Sequence, residues 1–344
     1  MKLTEHLFNI AKGTFAFSGI KTFTDGLKTQ GQHLTPYGKN YIINGGFDYW
    51  NYATSQTTGG YGSDDRWRNG NAGSTKVHSM VNSTDTERAL FNSSKFSRTE
   101  VTSVAGAGNT VIKHQKIENI TKLAGKTVTL SFWAKADSSK NIAIDIQQVF
   151  GNGGTPSAPI NGIGAQLIAL TNTWQKKTIT IQIPSIIGKT LGTDGVNTSS
   201  TELYFWFDAG SNFNARTASL GQQSGTFDIA EVKLEEGSVA TPWTPYEGEF
   251  GGELQACQRY YEVVPFINWA YSVGATTGAA GVLVKFTAIK RASPTAGTIT
   301  VTSSIGTNTY SIDSIGTSVA RLVYNSTQAG IVGATGSVPF SAEL

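Results

Sequence analysis

Val128-Thr-Leu-Ser-Phe-Trp-Ala134 sets Val128, Leu130, Phe132 and Ala134 at every second position, the period of a strand with one buried face. Asn141-Ile-Ala-Ile-Asp-Ile-Gln147, Thr178-Ile-Thr-Ile-Gln-Ile183 and Glu202-Leu-Tyr-Phe-Trp-Phe207 repeat the pattern. Gly- and Pro-rich connections such as Gly151-Asn-Gly-Gly-Thr-Pro156 and Gly192-Thr-Asp-Gly195 separate these runs, and no long segment of helical period interrupts them. An antiparallel all-β sandwich is the consistent reading. Its core side should carry Val128, Leu130, Phe132 and Ala134, then Ile142, Ile144 and Ile146, then Ile179, Ile181 and Ile183, then Leu203, Phe205 and Phe207. A further strand, Thr226 to Leu234, runs into Pro242 and Pro245, where the domain should end.

On the N-terminal side, Leu3, Leu7, Ile10 and Ala11 have helical spacing before Gly13, so one short helix is expected. From Gly13 to Asn40 single apolar residues, among them Phe15 and Phe17, punctuate Gly, Thr and Lys. This reads as an extended arm that needs something else to pack on. Residues 1–40 are therefore expected to form an attachment segment through Leu3, Leu7, Ile10, Phe15 and Phe17, and residues 41–247 a central sandwich. Leu254 to Tyr324 carries further strand patterns, so residues 253–344 should form a smaller β module.

Composition narrows the function. Charged residues make 15% of the 344-residue chain, against roughly 25% in an ordinary globular protein. The net charge is +3 from 27 basic and 24 acidic residues, and no Lys/Arg run exceeds a pair, so neither nucleic acid nor a membrane surface is expected as partner. Cys257 is the single cysteine, and His6, His33, His78 and His114 are scattered, which excludes a His/Cys zinc spacing. No apolar run approaches the roughly 18 residues of a membrane span, and Met1 to His6 lack a signal-peptide h-region, so no export address is expected.

Several ordered motifs carry a resemblance. Asn44-Gly-Gly-Phe-Asp-Tyr-Trp50, Asp64-Asp-Arg-Trp67, Leu130-Ser-Phe-Trp-Ala-Lys-Ala136, Gln148 to Gly154, Thr190 to Gly195 and Phe227 to Gly237 resemble the jelly-roll modules, similar to carbohydrate-binding modules, of bacteriophage tail fibres and other virion appendages. The continuation Cys257-Gln-Arg-Tyr-Tyr261 with Lys290-Arg-Ala-Ser-Pro-Thr295 is similar to the region that often follows such modules. The resemblance implies a jelly roll, a virion location, a homotrimer, and attachment of the N-terminal arm to tail, collar or head proteins. It leaves open which appendage carries the chain.

Opposite the core side, the strands present Trp133 and Lys135, then Asp145 and Gln147, then Tyr204, Trp206 and Asp208. Flat rings beside fixed donors and acceptors are what a sugar's C–H face and hydroxyls require. Trp133, Asp145, Gln147, Tyr204 and Trp206 are thus candidate glycan contacts. The same mix would also suit a subunit contact or cover by the module's own loops. Trp50, Trp67, Trp174 and Trp243 sit near strand ends, where Trp is a packing anchor. Should the strand face be idle, recognition falls to the loops near Gly151 or to the surroundings of Trp269 and Tyr271. Asp48 and Asp228 lie near the first and last strands, which a jelly roll brings close. The resemblance implies a structural calcium near such strands, and carboxylates are suitable ligands; unliganded turn carboxylates are the competing reading.

Catalysis is not expected. Asp64 and Asp65 should point apart, Glu235 and Glu236 sit in a tail, and no Gly-x-Ser-x-Gly elbow exists. Two functions remain: a fibre that engages host-surface glycans, strengthened by several copies, and a purely structural head fibre, decoration or collar protein.

Overall fold

The computed structural model describes residues 27–29, 32–34, 38–194, 198–246, 248, 250–272, 278–306, 308–326 and 330–344. The expected N-terminal helix and the attachment residues Leu3, Leu7, Ile10, Phe15 and Phe17 lie outside them. The chain divides into Met1–Gly38 and Lys39–Leu344. In the first unit β1 (Leu27–Thr29) and β2 (Gln32–Leu34) pair antiparallel, Leu27 opposite Leu34.

In the second unit the chain forms β3 (Ser55–Gln56), β4 (Arg68–Ala72), β5 (Thr75–Asn82), β6 (Lys95–Thr102), β7 (Thr110–Glu118) and β8 (Thr127–Ala136). These are followed by β9 (Lys140–Val149), β10 (Ile160–Leu170), β11 (Gln175–Gln182), β12 (Ser200–Ala209) and β13 (Gly225–Glu236). A five-stranded sheet, β10-β9-β12-β7-β4, faces a six-stranded sheet, β11-β8-β13-β6-β5-β3, with antiparallel neighbours throughout. This is a jelly-roll sandwich. Every residue assigned above to the core side of the four alternating strands belongs to one buried cluster between the sheets. Phe132 of β8 meets Phe205 of β12 edge to face across that gap, ring centroids 5.1 Å apart.

The core also holds charge. Asp64 and Lys113 are 0% exposed and paired with each other, with the Lys113 ammonium 5.5 and 5.7 Å from the Phe47 and Trp67 ring centroids. Asp64 further accepts from Asn69 Nδ2 at 2.7 Å and Ser63 Oγ at 2.9 Å, so the carboxylate's lone pairs are used. Asp65 points elsewhere and accepts from the Asn51 amide at 2.8 Å.

The Asn44-Gly-Gly-Phe motif is a turn lodged against β13. Asn44 stands at φ +57° and its side chain bonds Tyr49 and the Asp65 carbonyl. A Cβ on Gly45 would come within 2.1 Å of the Val232 carbonyl oxygen, so only glycine fits there. The motifs around Gly151 and Gly192 are likewise structural: Thr193 N donates to Gly153 O and Asp194 N to Asn152 O, both at 3.1 Å.

Asn40, assigned from sequence to the arm, belongs to the sandwich. It is buried, its Nδ2 donates to the Thr244 and Val232 carbonyls at 3.0 and 3.3 Å, and its Oδ1 accepts from the Ile42 and Leu234 amides at 3.0 and 3.1 Å. An apolar-periodicity reading misses such a residue because its role is polar.

The C-terminal module begins with a helix, Phe250–Gln258, and contains β14 (Tyr261–Ser272), β15 (Gly278–Lys285), β16 (Thr295–Ala296), β17 (Thr300–Ile305), β18 (Asn308–Ile315), β19 (Val319–Ser326) and β20 (Gly330–Ser341). β14, β20, β16 and β17 form one sheet and β15-β19-β18 another. Val264, Phe266, Val284, Leu322, Val338 and Phe340 are buried between them. The module is clamped to the jelly roll. Arg66 and Glu343, both buried, form an ion pair, and the Arg66 guanidinium lies 3.4 Å from the Tyr260 ring centroid. Tyr52 stacks on Tyr261 at 3.4 Å, and Ile43, Cys257 and Tyr260 share a small apolar cluster with Leu344.

Two outcomes follow for stability. A chain trimmed to Lys39–Leu344 should remain folded, whereas Asn40→Ala, which strands buried backbone groups, should lower the unfolding free energy by about 1–3 kcal/mol in denaturant titration; an unchanged midpoint would contradict the assignment. Burial also pushes the Glu253 carboxyl up to about 7, although the Tyr246 and Asn44 amides it accepts from act the other way. The folded state then holds a proton that the unfolded chain releases at about pH 4.3, so this contribution is full below that value and is lost as pH rises through about 7. Glu253→Gln should flatten the decline of melting temperature from about pH 5 to pH 8.

Candidate functional site

The outer face of the five-stranded sheet is built from rows set by strand register. Arg68 on β4, His114 on β7, Tyr204 on β12 and Asp145 on β9 lie opposite one another in turn. The next row aligns Lys116, Glu202 and Gln147, and the row on the other side Ile112, Trp206 and Ala143. Sequence alternation thus brings Asp145, Gln147, Tyr204 and Trp206 together on one face.

That face is closed by the chain itself. Tyr204 is 7% and Trp206 2% exposed, because the segment after β12 folds back over them. This segment is a short 3-10 turn, Ser211–Phe213, running into a single helical turn, Asn214–Thr217. Phe213 packs on Trp206 with centroids 5.3 Å apart and ring planes tilted by 41°, and Leu220 joins the same cluster. The Arg216 guanidinium stands 4.4 Å from the Tyr204 ring and 4.9 Å from that of Trp206, each a cation–π contact. It also donates to Asp145 through Nε at 2.8 Å and Nη2 at 3.3 Å. Trp206 Nε1 donates to the same carboxylate at 2.8 Å. Tyr204 donates to Glu202 at 2.8 Å, and burial, with the Glu202 charge and that hydrogen bond, holds the phenol well above its ordinary pKa. Of the three roles open for these residues, cover by the module's own loop is the observed one. Neither ring face is available for stacking, and Asp145 is fully engaged; Gln147 at the margin is half-buried.

Trp133 is not part of this face. It lies on β8, in the other sheet, and packs with Phe91 and Trp174. Trp174 is anchored there through Nε1 to Glu87 at 2.8 Å, and Lys135 bonds the same carboxylate at 3.1 Å. Alternation says which side of its own strand a residue occupies, and both sheets of a sandwich have an outer side.

Asp48 and Asp228, the expected calcium ligands, are each engaged by protein partners of their own. Both oxygens of Asp228 accept from Arg98, Nε at 2.8 Å and Nη2 at 2.9 Å, with Lys135 at 3.6 Å. Two cations against one carboxylate oppose a divalent ion there. Asp48 accepts from Ser94 Oγ at 3.1 Å, and burial raises its pKa. Among the described residues no group of three or more His, Cys, Asp or Glu side chains is arranged to hold a metal.

The open ring is elsewhere. Trp269, on the outer side of β14, is 49% exposed and is the one exposed aromatic side chain among the described residues. It faces Gly333 of β20, which in turn faces Ile305 of β17. A Cβ on Gly333 would fall 2.4 Å from the indole Cε3, so the glycine lets the ring lie against the sheet with its other side to solvent. On the neighbouring row the Thr335 and Thr302 hydroxyls are 3.0 Å apart. The Tyr271 side chain lies outside the described residues. The signal in sequence was an outward Trp on a strand opposite glycine, legible once the register is known.

No family model matches this chain, and no curated protein does. Among solved structures it is similar to the xylan-binding domain CBM22-2 of Paenibacillus barcinonensis Xyn10C, at 15% identity and TM-score 0.31, covering 50% of this chain and 92% of that one. It is similar to the N-terminal cellulose-binding domain of Cellulomonas fimi β-1,4-glucanase C, at 16% and 0.31, covering 55% and 98%. It is similar also to the enzymatically active domain of tailspike protein 4 of bacteriophage CBA120, at 15% and 0.34, covering 57% and 21%.

Trp206→Ala should act on folding rather than on any ligand. Removing a buried indole with its hydrogen bond should cost about 3–5 kcal/mol, read as a lowered melting temperature. Little change in melting would mean that the loop over Trp206 is not part of the folded core.

Proposed function

We propose that this chain is a bacteriophage virion fibre protein that binds host-surface glycans without turning them over. The observation that carries the reading is Trp269, half exposed and lying against Gly333. An indole held flat offers a stacking plane for the C–H face of a pyranose, and the Thr302 and Thr335 hydroxyls beside it offer hydrogen bonds to sugar hydroxyls. Such a site is weak alone and gains strength when several copies engage one polysaccharide. The virion location, the homotrimer and the docking of residues 1–40 on tail, collar or head proteins follow from the motif resemblance. The ionic clamp at Arg66 and Glu343 supports this use, since it would keep the binding module rigid on its carrier.

A second reading, a structural appendage without glycan ligand, is favoured by Ile267 and Ile331, which are 69% and 65% exposed on the same side of the sheet as Trp269. In that reading the face is a contact between copies.

Trp269→Ala decides between them. Glycan binding predicts a loss of about 1–2 kcal/mol, roughly 5- to 30-fold, in affinity for host cell-wall polysaccharide, with mass by light scattering and melting unchanged. A fall in oligomer mass with binding intact would give the structural reading.

A further inference from the structure

We propose that the Trp269 face takes neutral sugars that carry a methyl group, a 6-deoxyhexose or an N-acetylhexosamine, with the methyl seated against isoleucine. This rests on the glycan-binding reading and adds a substrate class to it. Strand register sets the borders of the indole. The ring lies against Gly333, and two residues either side of that glycine, on the same side of β20, stand Ile331 and Thr335. One border is therefore apolar and the other hydroxylic. Ile305 of β17 faces Gly333 from the far side, and Ile267 stands two residues before Trp269 on β14.

All three isoleucines are at least half exposed. Apolar side chains open to that extent around a stacking plane leave area for a ligand to cover. A fully hydroxylated hexose would set a hydroxyl against isoleucine, where it loses water and gains no hydrogen-bond partner. A methyl at C6, or on an N-acetyl group, instead takes apolar area out of water on both partners. The Thr302 and Thr335 hydroxyls, 3.0 Å apart, remain for the polar edge of the sugar. Charge points the same way. Positions 263–269 of β14, 331–339 of β20 and 300–305 of β17 carry no ionisable side chain, so these strand segments offer no counter-charge to a carboxylate or phosphate and match a neutral ligand.

The test titrates the full chain, followed by saturation-transfer NMR, with sugars in matched pairs. The methyl glycosides of L-fucose and L-galactose, of L-rhamnose and L-mannose, and of D-quinovose and D-glucose differ only in the C6 hydroxyl; chitohexaose and cellohexaose differ in the N-acetyl group. In at least one pair the methyl-bearing sugar should bind about tenfold tighter, and the deoxy and N-acetyl pairs tell the two sources apart. Ile331→Ser with Ile305→Ser should abolish that preference with melting and mass by light scattering unchanged, whereas Trp269→Ala should weaken both members of a pair alike. Equal affinity within every pair, a preference that survives the isoleucine changes, or binding of host cell-wall polysaccharide with none of these sugars bound would overturn the methyl preference while glycan binding stands. A lower oligomer mass in the double variant would assign the face to a contact between copies and overturn the preference as well. Absence of binding to every sugar and to the polysaccharide would overturn the glycan reading itself.

Discussion

Arg66 cannot stay buried without a counter-charge, and the carboxylate that meets it comes from the other end of the chain. An unpaired guanidinium away from water would cost several kcal/mol, so Glu343, in the tail after the last strand, is drawn to it. The neighbours of Arg66 divide the work. Asp64 turns inward to Lys113, Asp65 bonds Asn51, and Trp67 fills the core while its Nε1 donates to the Asn44 carbonyl at 3.0 Å. Four consecutive residues thus tie the sandwich core, the Asn44 turn and the C-terminal module into one body.

The same economy of charge closes the aromatic face. Asp145 is fully buried and would be unstable alone. Arg216 and Trp206 satisfy it, and Arg216 in doing so is laid over Tyr204 and Trp206. Aromatic rings interleaved with acids therefore serve here as a device for docking a loop. A binding surface and a docked loop require the same chemistry, and they differ in whether the chain itself supplies the partner.

The Trp269 plane lies at the margin of the folded body, on the outer side of the C-terminal sheet. It does not compete with the packed interior, so its side chain can be exchanged with little effect on folding. Buried Asn40, Asp64 and Trp206 have no such freedom.

Alternation alone determined the all-β class and the inward residues of β8, β9, β11 and β12, because period-2 placement of apolar side chains has one low-energy solution when a face must leave water. It also singled out Asp145, Gln147, Tyr204 and Trp206 as sharing a face. Tertiary structure alone decided the rest. It put Trp133 on the opposite sheet, since strand order across a sandwich depends on contacts distant in sequence. It covered Tyr204 and Trp206 with turns too short to leave a periodic signal, and paired Asp228 with Arg98 across strands β13 and β6. It drew Asn40 into the fold through hydrogen bonds to residues some 200 positions away. Exposure of Trp269 was decided in the same way: its strand pattern matches that of Trp206, and only the absence of a covering segment among the described residues separates the two.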